Sequence, residues 1–149
     1  MRNSSIVVRR HSGYYSGDSY TTTSFNSSST LPSIGNPLGN PPYPGLTADG
    51  GENWVDFLTT TYNKSLILTY DFAWGGATID AKLVTPGSGI SLADEVNTFL
   101  NKFASKPSST PWQTHNTLFS VWIGINDIGY TSSRVDDLNA CVPPLHYAS

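Results

Sequence analysis

Charge is scarce in this sequence. Only 13% of its 149 residues are charged, and the 8 Lys and Arg residues are outnumbered by 11 Asp and Glu. Three of the basic residues, Arg2, Arg9 and Arg10, lie within the first ten positions. A nucleic-acid-binding domain needs Lys and Arg clustered on one face. We therefore expect no nucleic-acid partner.

Cysteine and long apolar runs are also nearly missing. Cys141 is the only cysteine, which excludes an intrachain disulfide and argues against a thiolate metal site. No apolar segment approaches the roughly 18 residues of a membrane-spanning helix. The apolar triplet at residues 6–8 is too short for the core of a signal peptide. We expect no membrane association and no encoded secretion signal. Because there is neither a ligand cluster nor a phosphate-binding loop, the sequence implies no metal or organic cofactor.

Two segments have the spacing of amphipathic helices. The first begins near Glu52, with one face formed by Trp54, Phe57, Leu58 and Thr61. The second is predicted over residues 92–104, with Ser91 and Asp94 as a weak capping box and Pro107 as its stop. Its apolar face is formed by Leu92, Val96, Phe99, Leu100 and Phe103.

Strands are predicted at residues 65–70 and 118–123, and the second is apolar on both faces, as expected of a strand covered on each side by helices. The alternation of strands and helices predicts right-handed crossovers and a mainly parallel, three-layer α/β/α sheet. Residues 26–51 are rich in glycine and proline, which indicates an ordered surface loop. Residues 1–16 have a mixed composition, and only residues 6–8 are strand-like.

Three small polar clusters fall where strands end. They are Gly-Asp-Ser at 17–19, Ala-Trp-Gly-Gly-Ala-Thr at 73–78 and Gly-Ile-Asn-Asp at 124–127. Each alone is a common turn or cap. In parallel sheets, however, ligands bind beyond the carboxyl ends of the strands. Ester hydrolysis needs a nucleophile and hydrogen-bond donors where the oxyanion forms, and a serine, a glycine N–H and an asparagine amide supply that set.

These clusters resemble blocks of the SGNH or GDSL hydrolase superfamily. The residues at 17–23, 36–42 and 74–78 are most similar to the fungal acetylesterases of carbohydrate esterase family 16. The resemblance implies that Ser19 is the nucleophile and that the oxyanion donors are the Ser19 N–H, Gly76 and the Asn126 side chain. It also implies acetylated plant-polysaccharide fragments as substrates and an extracellular location. Asp71 stands where the family block has Asn.

The resemblance covers residues 17–129 and looks like the first half of the family domain. The family's Asp-x-x-His block, which supplies the general base, is absent, because Pro143 stands three residues before His146. We interpret His11, His115 and His146 as structural or solvent-exposed. The sequence therefore predicts an atypical segment at 1–16, a partial hydrolase domain at 17–130 and a divergent tail at 131–149, which includes a short helix at 133–139. We expect a truncated, nearly inactive chain with an exposed strand edge.

Four tryptophans could stack on sugar rings. Trp54 and Trp122 fit core positions, whereas Trp74, beside the oxyanion glycine, is the predicted substrate contact. Asp18 and Asp127 are interpreted as turn and network carboxylates. Three alternatives to an acetylesterase stay open: a lipase-like GDSL hydrolase on longer acyl chains, a non-catalytic carbohydrate-binding remnant, and a fragment that does not fold alone.

Overall fold

The computed structural model describes residues 10–132, which form a small parallel α/β unit. Predictions that fall on residues 1–9 and 133–149, including those for Cys141, His146 and the helix at 133–139, lie outside the described residues. The elements follow one another along the chain as β1 (Arg10–Gly17), α1 (Trp54–Thr60), β2 (Leu66–Asp71), α2 (Leu92–Lys102), a 3₁₀ turn (Thr114–Asn116), β3 (Thr117–Trp122) and α3 (Ile125–Thr131). Both strand pairs are parallel and the sheet order is β2-β1-β3. The predicted incomplete α/β class is confirmed. None of the helices in residues 10–132 is long and apolar enough to cross a bilayer.

The central strand β1 lies where the sequence predicted no strand. A buried central strand is normally an apolar run, but β1 reads Arg-His-Ser-Gly-Tyr-Tyr-Ser-Gly. Its apolar area comes from Tyr14 and Tyr15, which are 3% and 0% exposed. The small residues beside them leave room for large rings, since a Cβ at Gly13 would lie 2.5 Å from the Tyr15 ring. Two buried tyrosines thus replace an aliphatic run.

The two tyrosines organise opposite faces of the sheet, because successive side chains of a strand point to opposite sides. Tyr14 stacks on Tyr70 and Phe119 at centroid distances of 4.9 and 5.2 Å. α2 packs on this face through Phe99 and Phe103. On the other face, Tyr15 meets Trp54 of α1 at 5.5 Å, and the Thr59 and Thr69 hydroxyls are hydrogen-bonded at 2.6 Å. The helices α1 and α2 therefore lie on opposite sides of the sheet.

The buried face of α1 differs from the predicted one. Val55, Asp56 and Thr59 are buried, whereas Phe57 and Thr61 of the predicted face are exposed. The helix is docked by its cap, since the Asn53 side chain donates to the carbonyls of Thr21 and Thr22 at 2.7 and 3.1 Å. Polar cap contacts, which an apolar periodicity does not detect, set the rotation of this short helix.

The two outer strands have different surroundings. The proline-rich loop at 26–51 is ordered, as predicted, and it covers β2, where the Thr69 N–H donates to the Pro37 carbonyl at 2.9 Å. Within residues 10–132, β3 pairs with β1 alone. Its apolar side chains are more than half exposed there, against the prediction of a strand covered on both sides: Leu118, Phe119, Val121 and Trp122.

Candidate active site

Ser19 lies in the tight turn that follows β1. The Asp18 carbonyl accepts hydrogen bonds from the Thr21 and Thr22 N–H groups, both at 3.0 Å. The Asp18 carboxylate accepts from the Tyr20 N–H, also at 3.0 Å. Asp18 is fully buried and Ser19 is half-buried. The carbonyl and the carboxylate of Asp18 therefore together hold the three residues that follow Ser19.

The loop after β2 lies against this turn. The Trp74 N–H donates to the Gly17 carbonyl at 3.1 Å, and the Ala77 N–H donates to the Trp74 carbonyl at 3.0 Å. A Cβ placed on Gly75 would lie 4.0 Å from the Ser19 Cβ. Gly76 has a φ of 78°, a left-handed conformation that favours glycine. The loop thus brings Gly75 beside Ser19, with Gly76 next to it in the chain, where a Cβ would meet Ser88 and Tyr130.

Asn126 comes from the carboxyl end of β3, in the first turn of α3. Its side-chain amide donates to the Ala77 carbonyl at 2.9 Å. Asp127 is buried, and its two carboxylate oxygens accept from the Ile79 N–H at 3.0 and 3.2 Å. These bonds tie the start of α3 to the loop that carries Gly76. In this parallel sheet the segments that carry Ser19, Gly76 and Asn126 all follow the carboxyl ends of strands, and their joint role in one site stays a prediction.

The two described histidines lie at the other edge. His11 is near the start of β1, where its Nδ1 is 2.8 Å from the Ser65 hydroxyl. Six residues separate it from Gly17, about 20 Å along a strand. His115 lies in the 3₁₀ turn before β3. Both histidines therefore lie at the edge of the sheet opposite to Ser19.

Trp74 borders an open cleft of about 450 Å³. The tryptophan is 46% exposed. The rest of the lining mixes polar and apolar side chains and comes from the loop at 24–27, from Phe72 and Ile90, and from Asp94, Glu95 and Thr98 of α2. Of the tryptophans predicted for the core, Trp54 packs on Tyr15, but Trp122 is 55% exposed within the described residues.

Two buried carboxyl groups near the site were not predicted as such. Glu95 is 2% exposed, and its Oε2 accepts from the Gly17 N–H at 2.8 Å. Asp71 is 1% exposed and accepts from the N–H groups of Thr23 and Ala73 at 2.7 and 3.1 Å. Glu95 could have been found, because it lies three residues after Leu92 and four before Phe99, on the apolar stripe of α2. No group of three or more His, Cys, Asp or Glu side chains within residues 10–132 could hold a metal ion.

These two carboxyls predict an unusual dependence of stability on pH. Burial is the main cause that raises the pKa of Asp71 to about 7 and that of Glu95 to about 8. From roughly pH 4.5 to 7 the folded chain keeps protons that the unfolded chain has released. The free energy of unfolding should therefore fall as pH rises, by about 1.4 kcal/mol per pH unit for each carboxyl.

Urea unfolding followed by tryptophan fluorescence between pH 4.5 and 8 measures this slope. Asp71→Asn should make the slope smaller, whereas Asp49→Asn, at an exposed carboxylate, should leave it unchanged. A stability that stays constant or increases over this range would show that the buried carboxyls do not hold these protons.

Comparisons with known proteins identify relatives but no family. No protein-family model matches the chain. It is 50% identical over 115 residues to an acetylesterase of Thermothelomyces thermophilus, a match that covers 76% of this chain and 38% of the relative. It is 28% identical over 102 residues to an acetylesterase of Hypocrea jecorina, covering 64% of this chain and 28% of the relative. The chain therefore spans less than two fifths of the length of either relative. These matches support similarity to acetylesterases.

Proposed function

We propose that this chain carries the nucleophile and the oxyanion donors of a serine-dependent hydrolase of carboxylic esters, with acetyl esters on carbohydrate as substrates. Ser19 Oγ attacks the acyl carbon, and the N–H groups of Ser19 and Gly76 and the Asn126 amide bind the oxyanion. The observation that carries the proposal is the hydrogen bond from Asn126 to the Ala77 carbonyl, because it holds the amide beside Gly76. The similarity to two acetylesterases supports the same reaction class.

The Asn126 amide has the donor capacity that this role requires. A side-chain amide carries two N–H donors. The Ala77 carbonyl takes one of them, which fixes the orientation of the group. The second N–H is available to a substrate oxygen. Such preorganised donors stabilise the charge that develops in the transition state at no further cost of reorganisation.

The proposal assigns the general base to neither described histidine, since both lie at the opposite edge of the sheet. A serine hydroxyl without a base is a poor nucleophile. Loss of one triad member lowers the rate by about 10⁴ to 10⁶ and leaves about 10³ to 10⁴ over water from the oxyanion donors and binding. We therefore expect this chain alone to hydrolyse esters slowly.

Imidazole in solution can act as the base that residues 10–132 do not place beside Ser19. The test measures hydrolysis of 4-nitrophenyl acetate by the chain with and without imidazole, with Ser19→Ala as the matched control for the reaction of imidazole itself. We expect imidazole to raise the rate of the wild-type chain at least about tenfold above that of Ser19→Ala, because only Ser19 can use the added base. Equal rates for the two proteins would refute the assignment of Ser19 as nucleophile.

The substrate class rests on Trp74 and on the cleft beside it, whose lining combines aromatic and polar side chains. A flat aromatic ring next to hydroxyl, amide and carboxyl groups suits a hydroxylated ring better than a long acyl chain. In a series of 4-nitrophenyl esters, acetate should react faster than octanoate. Faster hydrolysis of octanoate would instead favour a lipase-like enzyme, and sugar binding without Ser19-dependent turnover would favour a binding protein. An extracellular location is part of this proposal, as for the resembling family.

A further inference from the structure

Glu95 is the one buried residue of α2 and is 2% exposed. In the same helix, the apolar Val96 and Leu100 are 41% and 54% exposed. Burial of a carboxyl group costs several kcal/mol unless hydrogen bonds compensate for it. An apolar residue would pack at this position without that cost, so the burial of Glu95 indicates that its carboxyl group makes a polar contact there.

The Glu95 carboxyl binds the end of the central strand. Its Oε2 accepts from the Gly17 N–H at 2.8 Å, and the Gly17 carbonyl accepts from the Trp74 N–H at 3.1 Å. Gly17 stands two residues before Ser19, and Trp74 stands two residues before Gly76. One carboxyl on α2 is thereby connected to both the serine turn and the glycine loop.

The charge of Glu95 depends on pH in the neutral range. Burial is the largest cause of its raised pKa, about 8, and the negative charge of Asp71, at the end of β2, raises the pKa further. The Gly17 and Trp74 N–H groups and the Ser16 hydroxyl face the carboxyl and lower the pKa. A hydrogen bond to an ionised carboxylate is about twice as strong as one to a neutral acceptor. Ionisation of Glu95 therefore strengthens its hydrogen bond with the Gly17 N–H.

We propose that Glu95 is a positioning residue that sets the placement of Ser19 and Gly76 through Gly17 and Trp74. This inference rests on the proposed function, because it assigns the reaction to those two residues. Glu95 itself does not touch the substrate, and it acts through the main chain of β1 and the loop. Its protonation state is coupled to the geometry of the site.

The test follows backbone amide chemical shifts by NMR from pH 6 to 10 and does not require turnover. In the wild-type chain, the Gly17 amide should titrate in one step near pH 8, and the Ser19 and Gly76 amides should titrate with the same midpoint. In Glu95→Gln, which keeps the shape of the side chain, all three steps should disappear. If Gly17 titrates while Ser19 and Gly76 do not, Glu95 is only structural and the proposal is wrong.

Two control variants separate Glu95 from its neighbours. Asp71→Asn should move the step to lower pH without removing it, because it removes the negative charge that raises the pKa of Glu95. Asp94→Asn removes the next carboxyl of the same helix, which accepts from the Ser91 N–H and hydroxyl, and should leave the step unchanged. If Asp71→Asn abolishes the step, the titrating group is Asp71 and the proposal is wrong. If Glu95→Gln does not fold, the titration of the wild-type chain and of these two variants still tests whether ionisation of Glu95 is coupled to Ser19 and Gly76.

Hydrolysis supplies a second measurement. In imidazole-supported assays, kcat of Glu95→Gln should fall at least about threefold relative to wild type at pH 9 and match it at pH 6, because only the ionised carboxylate makes the stronger hydrogen bond. KM should not change. If Ser19→Ala leaves the rate unaltered, the proposed function fails on its own, whereas the amide titration still tests the coupling of Glu95 to the turn and the loop.

Discussion

Gly17→Ala is expected to destabilise the fold by about 3 kcal/mol or more, at the upper end of the usual cost of overpacking. A Cβ at this position would lie 2.3 Å from the Trp122 carbonyl oxygen and 2.9 Å from the Thr21 hydroxyl. The first contact is with the backbone of the paired strand β3, so it can be relieved only if the strands move apart. The free energy of unfolding of a domain is about 5 to 15 kcal/mol, so this one methyl group removes a large part of it. Urea unfolding followed by tryptophan fluorescence measures the loss.

Gly51→Ala is the matched control for this substitution. A Cβ on Gly51 would meet no atom within 4 Å, and its φ is outside the left-handed region. The control should therefore stay within about 0.5 kcal/mol of wild type, like most surface substitutions. A Gly17→Ala variant within 1 kcal/mol of wild type would show that β1 and β3 do not approach this closely at Gly17.

Periodicity and composition predicted the parts of the fold that follow ordinary rules. β2 and α2 carry regular apolar patterns, and the structure places them within two residues of the predicted ends. β1 was not predicted because its serines and glycines interrupt the apolar pattern by which the burial of Tyr14 and Tyr15 could be recognised. Glycine here reflects close approach of neighbouring groups, which a hydrophobicity pattern does not contain.

The site could be predicted further than the core that surrounds it. Parallel topology alone requires that the ends of the strands share an edge, so Ser19, Gly76 and Asn126 were expected together. The burial of the Asp71 carboxyl follows from tertiary contacts that no local pattern encodes, whereas the position of Glu95 on the apolar stripe of α2 indicates its burial but not its partner. Their hydrogen bonds to main-chain N–H groups become visible only when the elements are packed.

Asn126→Ala is expected to lower kcat for imidazole-supported ester hydrolysis by about 10² to 10³, the usual loss when one oxyanion donor is removed. KM should stay unchanged, because the donor acts on the transition state more than on the bound ester. The variant also loses the hydrogen bond to the Ala77 carbonyl, which costs about 1 kcal/mol of stability. The chain should therefore remain folded while catalysis falls. Measurement of kcat, KM and urea unfolding on the same preparation separates the two effects.

Asn126→Asp distinguishes loss of a donor from loss of volume. The aspartate has nearly the same shape but, when ionised, it offers only acceptors. It should therefore be at least as inactive as the alanine variant, since a negative charge beside the oxyanion opposes the transition state. Asn101→Ala, at an exposed position of α2, should keep full activity. If Asn126→Asp retained kcat within about threefold of wild type, the amide would not be an oxyanion donor, because a carboxylate cannot replace it in that role. The bond to Ala77 would then serve only to hold α3 against the loop.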